Sequence, residues 1–199
     1  MDANLVMLSS GVSPNTHQLL PGQASETALP IDLWTLLRPG RAHSHELPDG
    51  FILDISPAAA EWWREAAGAV FEGFLVTIDY GLTAEELFAP HRTQGTLRAY
   101  RKHQLQSDLL ADPGEQDLTA HVDFSAIQSA GEAEGLATRQ LVSQERFLMG
   151  VAASFWSEAK PPQAEETRQF QTLVHPEHLG RAFKVLVQEK PPTGTDPKK

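Results

Sequence analysis

The stretch that most constrains the fold of this chain is Phe74–Gly81, which reads FLVTIDYG. Its first five residues are apolar or β-branched, and the run then stops at Asp79 and Tyr80. A strand that is apolar on both faces is usually buried between helices, as in a mostly parallel sheet. Such sheets place ligands at the carboxyl ends of their strands, where Asp79 and Tyr80 lie. Asp79 has an equally good interpretation as the cap of the following turn.

The residues before this strand predict a βαβ unit. Ser56 and Pro57 form a helix start, because a hydroxyl suits the N-cap and a proline suits the first turn. We expect Gly73 to end this helix and the alternating residues 51–55 to form a short strand before it. Apolar side chains at helical spacing within the helix are Ala59, Trp62, Trp63, Ala66, Ala67 and Val70. We expect the two tryptophans to lie in the core rather than to form a cofactor platform.

Length and composition exclude several classes of protein. The 199 residues suffice for one domain with a sizeable core, and no apolar run is long enough to cross a bilayer. Because the chain has no cysteine, disulfides, thiolate catalysis and cysteine zinc sites are excluded. A formal charge of −10 argues against a nucleic-acid binder. These properties, with no secretory signal in the sequence, predict a cytoplasmic protein of bacterial type.

The N-terminal region, residues 1–46, matches no pattern that assigns a fold. Prolines recur through it, and only Leu5–Leu8 and Ile31–Leu37 look able to form regular structure. No glycine-rich loop follows a strong strand, so no cofactor-binding residue is identifiable. His43 and His45 lack carboxylates at ligand spacing, which favours a solvated loop over a metal site.

A long insertion, residues 82–122, is predicted to follow the central strand, with a short helix within 83–88 at its start. The part that reads HRTQGTLRAYRKHQ contains Arg92, Arg98, Arg101 and Lys102 and no acidic residue. In so acidic a chain, this patch is predicted either to grip an acidic partner or substrate, or to pair with the protein's own carboxylates. The sequence favours neither interpretation over the other.

Two carboxylates and an imidazole follow within seven residues, at Asp117, His121 and Asp123. A histidine flanked by carboxylates can act as a general base or orient a substrate. It can equally belong to a hydrogen-bonded structural cluster. Asp123 also precedes an apolar helical pattern that ends at Gly135, so it can serve as the N-cap of that helix.

The remaining residues predict a second run of strands and helices. The expected elements are a strand at Thr138–Val142, a helix after Gln144, a linker at 157–164, a helix at 165–179 broken by Pro176 and stopped by Gly180, and a strand at Phe183–Val187. The residues after Lys190 are expected to be a disordered tail.

Together these motifs resemble the MidA-type family of S-adenosylmethionine-dependent methyltransferases, whose mitochondrial members assist respiratory complex I assembly. The matching segments are TIDYG (77–81), GTLRAYRKH (95–103), PGEQDLTAHVDF (113–124), Gln144 with Phe147 and Leu148, and GRAFKVL (180–186). The resemblance covers residues 47–190 and corresponds to the C-terminal half of a family member. It implies an α/β, Rossmann-like class I methyltransferase sheet that is incomplete and whose C-terminal strand is antiparallel.

The resemblance also implies an activity and a set of site residues. The activity is methyl transfer from S-adenosylmethionine to an arginine nitrogen of a partner protein, such as a respiratory-complex subunit. On this interpretation Asp117, His121 and Asp123 are catalytic. The substrate-binding residues are Tyr80, Arg92, Arg98 and Arg101.

The chain departs from the family in having no glycine-rich cofactor motif. We therefore expect a truncated family member that lacks the cofactor-binding half. A sheet cut at this point is predicted either to aggregate or form a homodimer, or to have its apolar edge covered by residues 1–50. The alternative is a non-catalytic binding or assembly module that retains the partner-facing surface. A third interpretation is an incomplete reading frame.

Overall fold

The fold is that of a computed structural model, which describes residues 6–9, 48, 50–158 and 162–192. The chain forms two compact units. Unit 1 comprises Met1–Ala58 and Leu82–Asp123, and unit 2 comprises Ala59–Gly81 and Phe124–Lys199. The predictions for Ile31–Leu37, His43, His45 and the tail after residue 192 fall outside the described residues.

Unit 1 is built mainly from short antiparallel strands. Its elements are β1 (Val6–Ser9), β2 (Ile52–Ile55), helix α2 (Ala84–Leu87), β4 (Arg98–Arg101), β5 (Gln104–Gln106), β6 (Asp117–Thr119) and β7 (Val122–Asp123). Strand β1 pairs with β2, and β4 lies between β5 and β6 with both pairings antiparallel. The segment 82–122, which the sequence presents as an insertion, thus contains a three-stranded sheet of its own.

Unit 2 contains the longer elements. They are α1 (Pro57–Ala69), which begins at the end of unit 1, β3 (Gly73–Leu82), α3 (Phe124–Ala133), β8 (Ala137–Ser143), α4 (Gln144–Glu158), α5 (Ala164–Val174), α6 (Leu179–Ala182) and β9 (Phe183–Lys190). The starts of α1, α3 and α4 and the positions of β2, β3, β8 and β9 along the chain agree with the sequence prediction. Local signals located them because caps and apolar periodicity are properties of neighbouring residues. The predicted βαβ unit is wrong, because β2 pairs with β1 and β3 belongs to a different sheet.

The arrangement of β3, β9 and β8 is the feature that identifies the fold class. The strands lie side by side in that order, and β9 runs antiparallel to both of its neighbours. Strands β3 and β8 are therefore parallel to each other. An α/β fold in which the last strand inserts antiparallel between two parallel strands is the class I methyltransferase-like arrangement, which confirms the predicted fold class and its antiparallel C-terminal strand.

The prediction that the central strand is buried on both faces is wrong. Phe74 is 63% exposed, and Val76, Ile78 and Tyr80 are also exposed at alternate positions along β3. Since side chains alternate between the two faces of a strand, these four share one face. The opposite face carries Leu75 and Thr77, which are partly buried. An apolar run shows that both faces of a strand are suited to burial. Whether both faces are buried depends on whether other helices or strands pack against them.

The core of unit 2 lies on the other face of this sheet, against α1 and α3. Trp63 is almost fully buried there, whereas Trp62 is 56% exposed. The expectation that both tryptophans are core residues is therefore wrong for Trp62. Adjacent positions on a helix point about 100° apart, so one of the two must leave the apolar stripe.

Two glycines do not have the predicted role as helix stops. Helix α1 ends at Ala69, and Gly73 instead begins β3 with a φ of +117°. Likewise α5 ends at Val174, directly before His175 and Pro176, while Gly180 lies inside the short helix α6. The residue before a proline is forced out of the helical region, so Pro176 ends α5 before Gly180 is reached.

No helix among the described residues is long and apolar enough to cross a membrane. Within the same residues, no group of three or more histidine or acidic side chains is arranged to hold a metal ion.

Candidate functional site

Asp54, at the end of β2, organises the part of unit 1 that contains most of the predicted site residues. Its Oδ2 accepts hydrogen bonds from the backbone N–H groups of Thr96 and Leu97, the latter at 2.9 Å, and from the Thr96 hydroxyl at 3.0 Å. Its Oδ1 is buried and has no hydrogen-bond partner within the described residues. A carboxylate that receives several donors fixes its loop firmly, because charge-assisted hydrogen bonds are stronger than neutral ones.

Gly95 is required at the start of this turn for two reasons. Its φ of +59° lies in the left-handed region, and a Cβ at this position would be 2.6 Å from Asp54 Oδ2. Any other residue would therefore be strained and would also collide with the carboxylate. The glycine in the GTLR motif thus lets the backbone approach Asp54.

Thr96 connects this turn to the segment that holds His121. The Thr96 hydroxyl accepts a hydrogen bond from the backbone N–H of His121 at 3.0 Å while it donates to Asp54. Because Thr96 is itself buried, this pair of bonds ties the residue before β7 to the end of β2. His121 is exposed, and Asp123, at the end of β7, is partly buried.

The sheet formed by β4, β5 and β6 places Arg98 and Asp117 on the same face. In the β4–β6 register Arg98 lies opposite Thr119, and Tyr100 lies opposite Asp117. The Arg98 guanidinium donates to the carbonyls of Leu97 at 2.7 Å and Gly95 at 3.3 Å. Arg98 therefore stabilises the Gly95 turn as well as lying near Asp117.

Arg101 is paired with carboxylates of its own chain. Its guanidinium lies 2.6 Å from Asp112 and 4.0 Å from Glu115, and all three side chains are substantially exposed. Exposed ion pairs of this kind contribute only about 0–1 kcal/mol, so the pairing does not prevent Arg101 from binding another anion. For this residue the structure agrees with the interpretation of the basic patch as self-paired.

Arg92 lines a cavity of about 300 Å³ together with His91, Thr93, Gln94, Gly95 and Arg98. The Arg92 side chain is partly buried and has no hydrogen bond or ion pair with the described part of the chain. This cavity is lined by cationic and polar groups, so it suits a small anionic or polar group. Arg92 and Arg98, which are both predicted to bind substrate, therefore line the same cavity.

Tyr80 belongs to unit 2 and is described separately. Its ring packs against Phe183 with centroids 4.1 Å apart, and its N–H donates to Asp79 Oδ1 at 2.7 Å. Asp79 lies inside β3, which continues to Leu82, so it does not cap a turn after the strand as one of its two interpretations required. The ring of Tyr80 remains 44% exposed.

Sequence reasoning did not identify Asp54, Thr96 or Tyr100 as important. Asp54 is the one charged residue in β2, and a lone carboxylate in an apolar strand is a signal that could have been used. Nothing in the sequence indicates its partner, because Thr96 lies 42 positions away. The role assignments for Asp117, His121, Asp123 and the arginines stay predictions.

The chain belongs to a recognised family, as comparison with known proteins shows. Residues 23–142, more than half of the chain, match a family of S-adenosyl-L-methionine-dependent methyltransferases. The chain is a member of this family. The resemblance to MidA-type methyltransferases is thereby confirmed, and S-adenosylmethionine is the cofactor of the family.

Two curated relatives of this family member are named protein arginine methyltransferases. It is 28% identical over 142 residues to protein arginine methyltransferase NDUFAF7, mitochondrial, of Xenopus laevis, a match covering 66% of this chain and 30% of the relative. It is 31% identical over 121 residues to the Drosophila melanogaster NDUFAF7 homologue, covering 57% and 26% respectively. The family member thus spans less than a third of the length of these relatives.

Two crystal structures from Burkholderia thailandensis resemble the family member in fold. One, of an uncharacterized protein, superposes with a TM-score of 0.65 at 30% identity and covers 75% of this chain and 41% of the other. The second, of a member of the same superfamily bound to S-adenosyl-homocysteine, has a TM-score of 0.64 at 31% identity and covers 72% of this chain and 38% of the other. The structural match therefore includes a protein that binds the product form of the cofactor.

The described residues do not form a cradle for the S-adenosyl group. Between β2 and α1, and between β3 and α2, the connection is a single residue, and β8 runs directly into α4. A nucleoside-binding loop in an α/β fold needs several residues with glycines that allow close backbone approach. No such loop lies between a strand and a helix in the described ranges, so the described residues do not fit the S-adenosyl group by themselves.

Proposed function

We propose that this chain provides the acceptor-binding part of an S-adenosylmethionine-dependent protein arginine methyltransferase and lacks the cofactor-binding half. The observation that carries the proposal is the 31% identity, over 72% of this chain, to a structure that contains S-adenosyl-homocysteine. The names of the two curated relatives support a protein arginine as the acceptor. The acceptor protein is a respiratory-complex subunit, as the MidA resemblance implies, and the site of action is the cytoplasm, which suits a chain without cysteine.

The proposed roles follow from the chemistry of a guanidinium acceptor. Arginine is protonated at neutral pH, so one of its nitrogens must lose a proton before it can act as a nucleophile. The exposed carboxylate of Asp117, or that of Asp123, accepts this proton, and His121 orients the acceptor. Arg92 and Arg98 bind acidic or carbonyl groups that flank the acceptor arginine, with Arg101 at the margin.

A chimera tests this proposal. Residues 47–190 replace the matching segment of a full-length relative, and methyl transfer to arginine is measured with isotopically labelled S-adenosylmethionine. The folded chimera is expected to methylate arginine. The substitution Asp117→Asn in this chimera is expected to lower kcat about a hundredfold, which lies within the range for loss of a general base. Glu115→Gln, which removes a nearby exposed carboxylate, is the matched control and should change kcat less than about twofold.

A folded chimera that binds S-adenosylmethionine yet transfers no methyl group would contradict the proposal. Full activity of the Asp117→Asn chimera would remove Asp117 from the site while leaving the family activity intact. The same assay with His121→Gln separates orientation from proton transfer, because an orienting residue should affect KM as well as kcat.

The second candidate function is a non-catalytic binding or assembly module. It is favoured by the single-residue strand-to-helix connections, which provide no cradle for the cofactor within the described residues. The chimera distinguishes the two functions, because methyl transfer to arginine by the folded chimera would exclude the module. A folded chimera that binds a partner protein but transfers no methyl group would support the module. Calorimetry with S-adenosylmethionine on this chain tests the premise that both functions share, and tight binding would contradict that premise.

A further inference from the structure

Three side chains form a row across the sheet of β5, β4 and β6, which we call the Tyr100 row. Leu105 lies opposite Tyr100 in the β4–β5 register, and Tyr100 lies opposite Asp117 in the β4–β6 register. Directly opposite residues in antiparallel strands point to the same face, with Cβ atoms about 4.5–5.5 Å apart. An aliphatic, an aromatic and an acidic side chain are therefore neighbours on one surface.

The Tyr100 row is open to solvent although two of its members are apolar. Tyr100 is 38% exposed and Leu105 is 61% exposed, and Asp117 is exposed as well. The alternate residue Ala99, on the opposite face of β4, is completely buried. Burial on the Ala99 face is local, since Leu118 opposite Ala99 is 55% exposed, whereas all three members of the Tyr100 row are exposed.

The carboxylate of Asp117 carries an uncompensated charge. It has no ion pair or hydrogen bond with the described part of the chain, although three arginines lie in the same basic segment. Arg98 donates to backbone carbonyls, and Arg101 projects from the other face of β4 and pairs with Asp112. Neither of these arginines is paired with Asp117 in the structure.

We infer that the Tyr100 row binds an arginine side chain of a partner protein. The methylene stem of an arginine packs on Leu105, the planar guanidinium stacks on the Tyr100 ring, and the Asp117 carboxylate accepts its N–H groups. A lysine ammonium offers neither a plane to stack nor a fork for bidentate hydrogen bonds. The inference rests on the proposed function, since it identifies Tyr100 and Leu105 as residues that select arginine for the same activity.

The direct test is peptide binding by the full chain, which needs no methyl transfer. Isotope-labelled protein is titrated with the capped peptide Gly-Gly-Arg-Gly-Gly, and binding is followed by NMR shifts of the β4–β6 amides. Binding is expected to fall about tenfold or more in Asp117→Asn and in Tyr100→Val, as expected when a charge-assisted hydrogen bond or a stacking surface is lost. Tyr100→Phe, which keeps the ring, should bind within about threefold of the unmodified chain.

Matched controls separate a site from general charge attraction. Glu65→Gln removes an exposed carboxylate from α1, and Phe71→Val removes an 88% exposed aromatic ring from unit 2. Neither should change the affinity for the peptide. Peptides with lysine or citrulline in place of arginine should bind more weakly, because citrulline lacks the charge and lysine lacks the planar fork.

Unchanged affinity in both Asp117→Asn and Tyr100→Val would overturn the inference, as would an equal loss in Glu65→Gln. Thermal unfolding of each variant confirms that it is folded before its affinity is compared. If the chain binds the arginine peptide but the chimera transfers no methyl group, the Tyr100 row is supported as a binding site and the proposed activity is contradicted. If the chimera transfers methyl groups at the same rate with Tyr100→Val, the activity is supported and the Tyr100 row is contradicted.

Discussion

Single residues hold distant segments of unit 1 together. Asp54 receives its three hydrogen bonds from residues 42 and 43 positions further along the chain, and Gly95 allows the approach because it has no side chain. The buried Oδ1 of Asp54 has no partner among the described residues, so all of the carboxylate's hydrogen bonds to this turn go through Oδ2. At this scale Asp54 and Gly95 reinforce the backbone hydrogen bond from Ile52 to Thr93 that also joins this segment to β2.

Gly95→Ala is therefore expected to destabilise the protein. The left-handed φ and the close approach to Asp54 should together lower the free energy of unfolding by more than about 1 kcal/mol. Gly68→Ala is the matched control, because Gly68 lies in α1 and a methyl group added there would have no other atom within 4 Å. That change should raise the free energy of unfolding by about 0.5–1 kcal/mol, since alanine favours a helix. Urea denaturation measures the free energy of unfolding of both variants. A change of the same sign in the two would contradict the role assigned to Gly95.

Among the elements of unit 2, the contact of α1 with β9 is polar at its centre. Gln188 of β9 is completely buried, accepts from Trp63 Nε1 at 2.8 Å, and donates to the Gln128 carbonyl and the Thr138 hydroxyl. Gly131 of α3 lies so close that a Cβ there would collide with the Gln188 amide. Because every polar atom of this amide is paired, the network fixes how α1, α3, β8 and β9 pack.

Trp63→Phe should remove one member of this network and leave the Gln188 carbonyl buried without a donor. We expect a loss of about 2–3 kcal/mol in the free energy of unfolding from the unpaired oxygen and the lost volume. Trp62→Phe, on the exposed side of the same helix, should change it by less than about 0.5 kcal/mol. Chemical denaturation of the two variants side by side tests the difference. Similar losses would show that the hydrogen bond to Gln188 is not important.

At the scale of the whole molecule, the exposed face of β3 is the feature that needs a partner. Phe74, Val76, Ile78 and Tyr80 form a contiguous apolar strip on that face. Soluble proteins seldom expose large contiguous apolar patches unless another surface binds them. This strip gives a structural basis for the expected aggregation or dimer formation of the chain.

The double substitution Val76→Thr with Ile78→Thr should reduce concentration-dependent self-association. Threonine keeps the β-branched shape that suits a strand but makes the strip more polar. Sedimentation velocity over a range of concentrations should show a mass closer to the monomer than for the unmodified chain. Val151→Thr, at an exposed apolar position of α4, is the control and should have no effect. Self-association that is unchanged in the double variant would place the contact elsewhere.

The sequence by itself determined the family and the positions of the longer strands and helices, but not the strands within 82–122. Strand β3, the start of α1 at Pro57 and the start of α3 after Asp123 follow from apolar periodicity and capping, which depend only on neighbouring residues. The motifs that indicated a methyltransferase are likewise contiguous stretches. Such features need no knowledge of which distant segments meet.

Only the tertiary structure decided which surfaces are covered and which side chains become neighbours. The apolar run of β3 could not reveal its exposed face, and the proline at 176 ended α5 before the glycine at 180 was reached. The partner of Asp54 and the Tyr100 row depend on strand pairing between segments distant in sequence. The bonds from Asp54 to Thr96 and the pairing of Tyr100 with Asp117 join segments separated along the chain, so they depend on which segments meet and not on neighbouring residues alone.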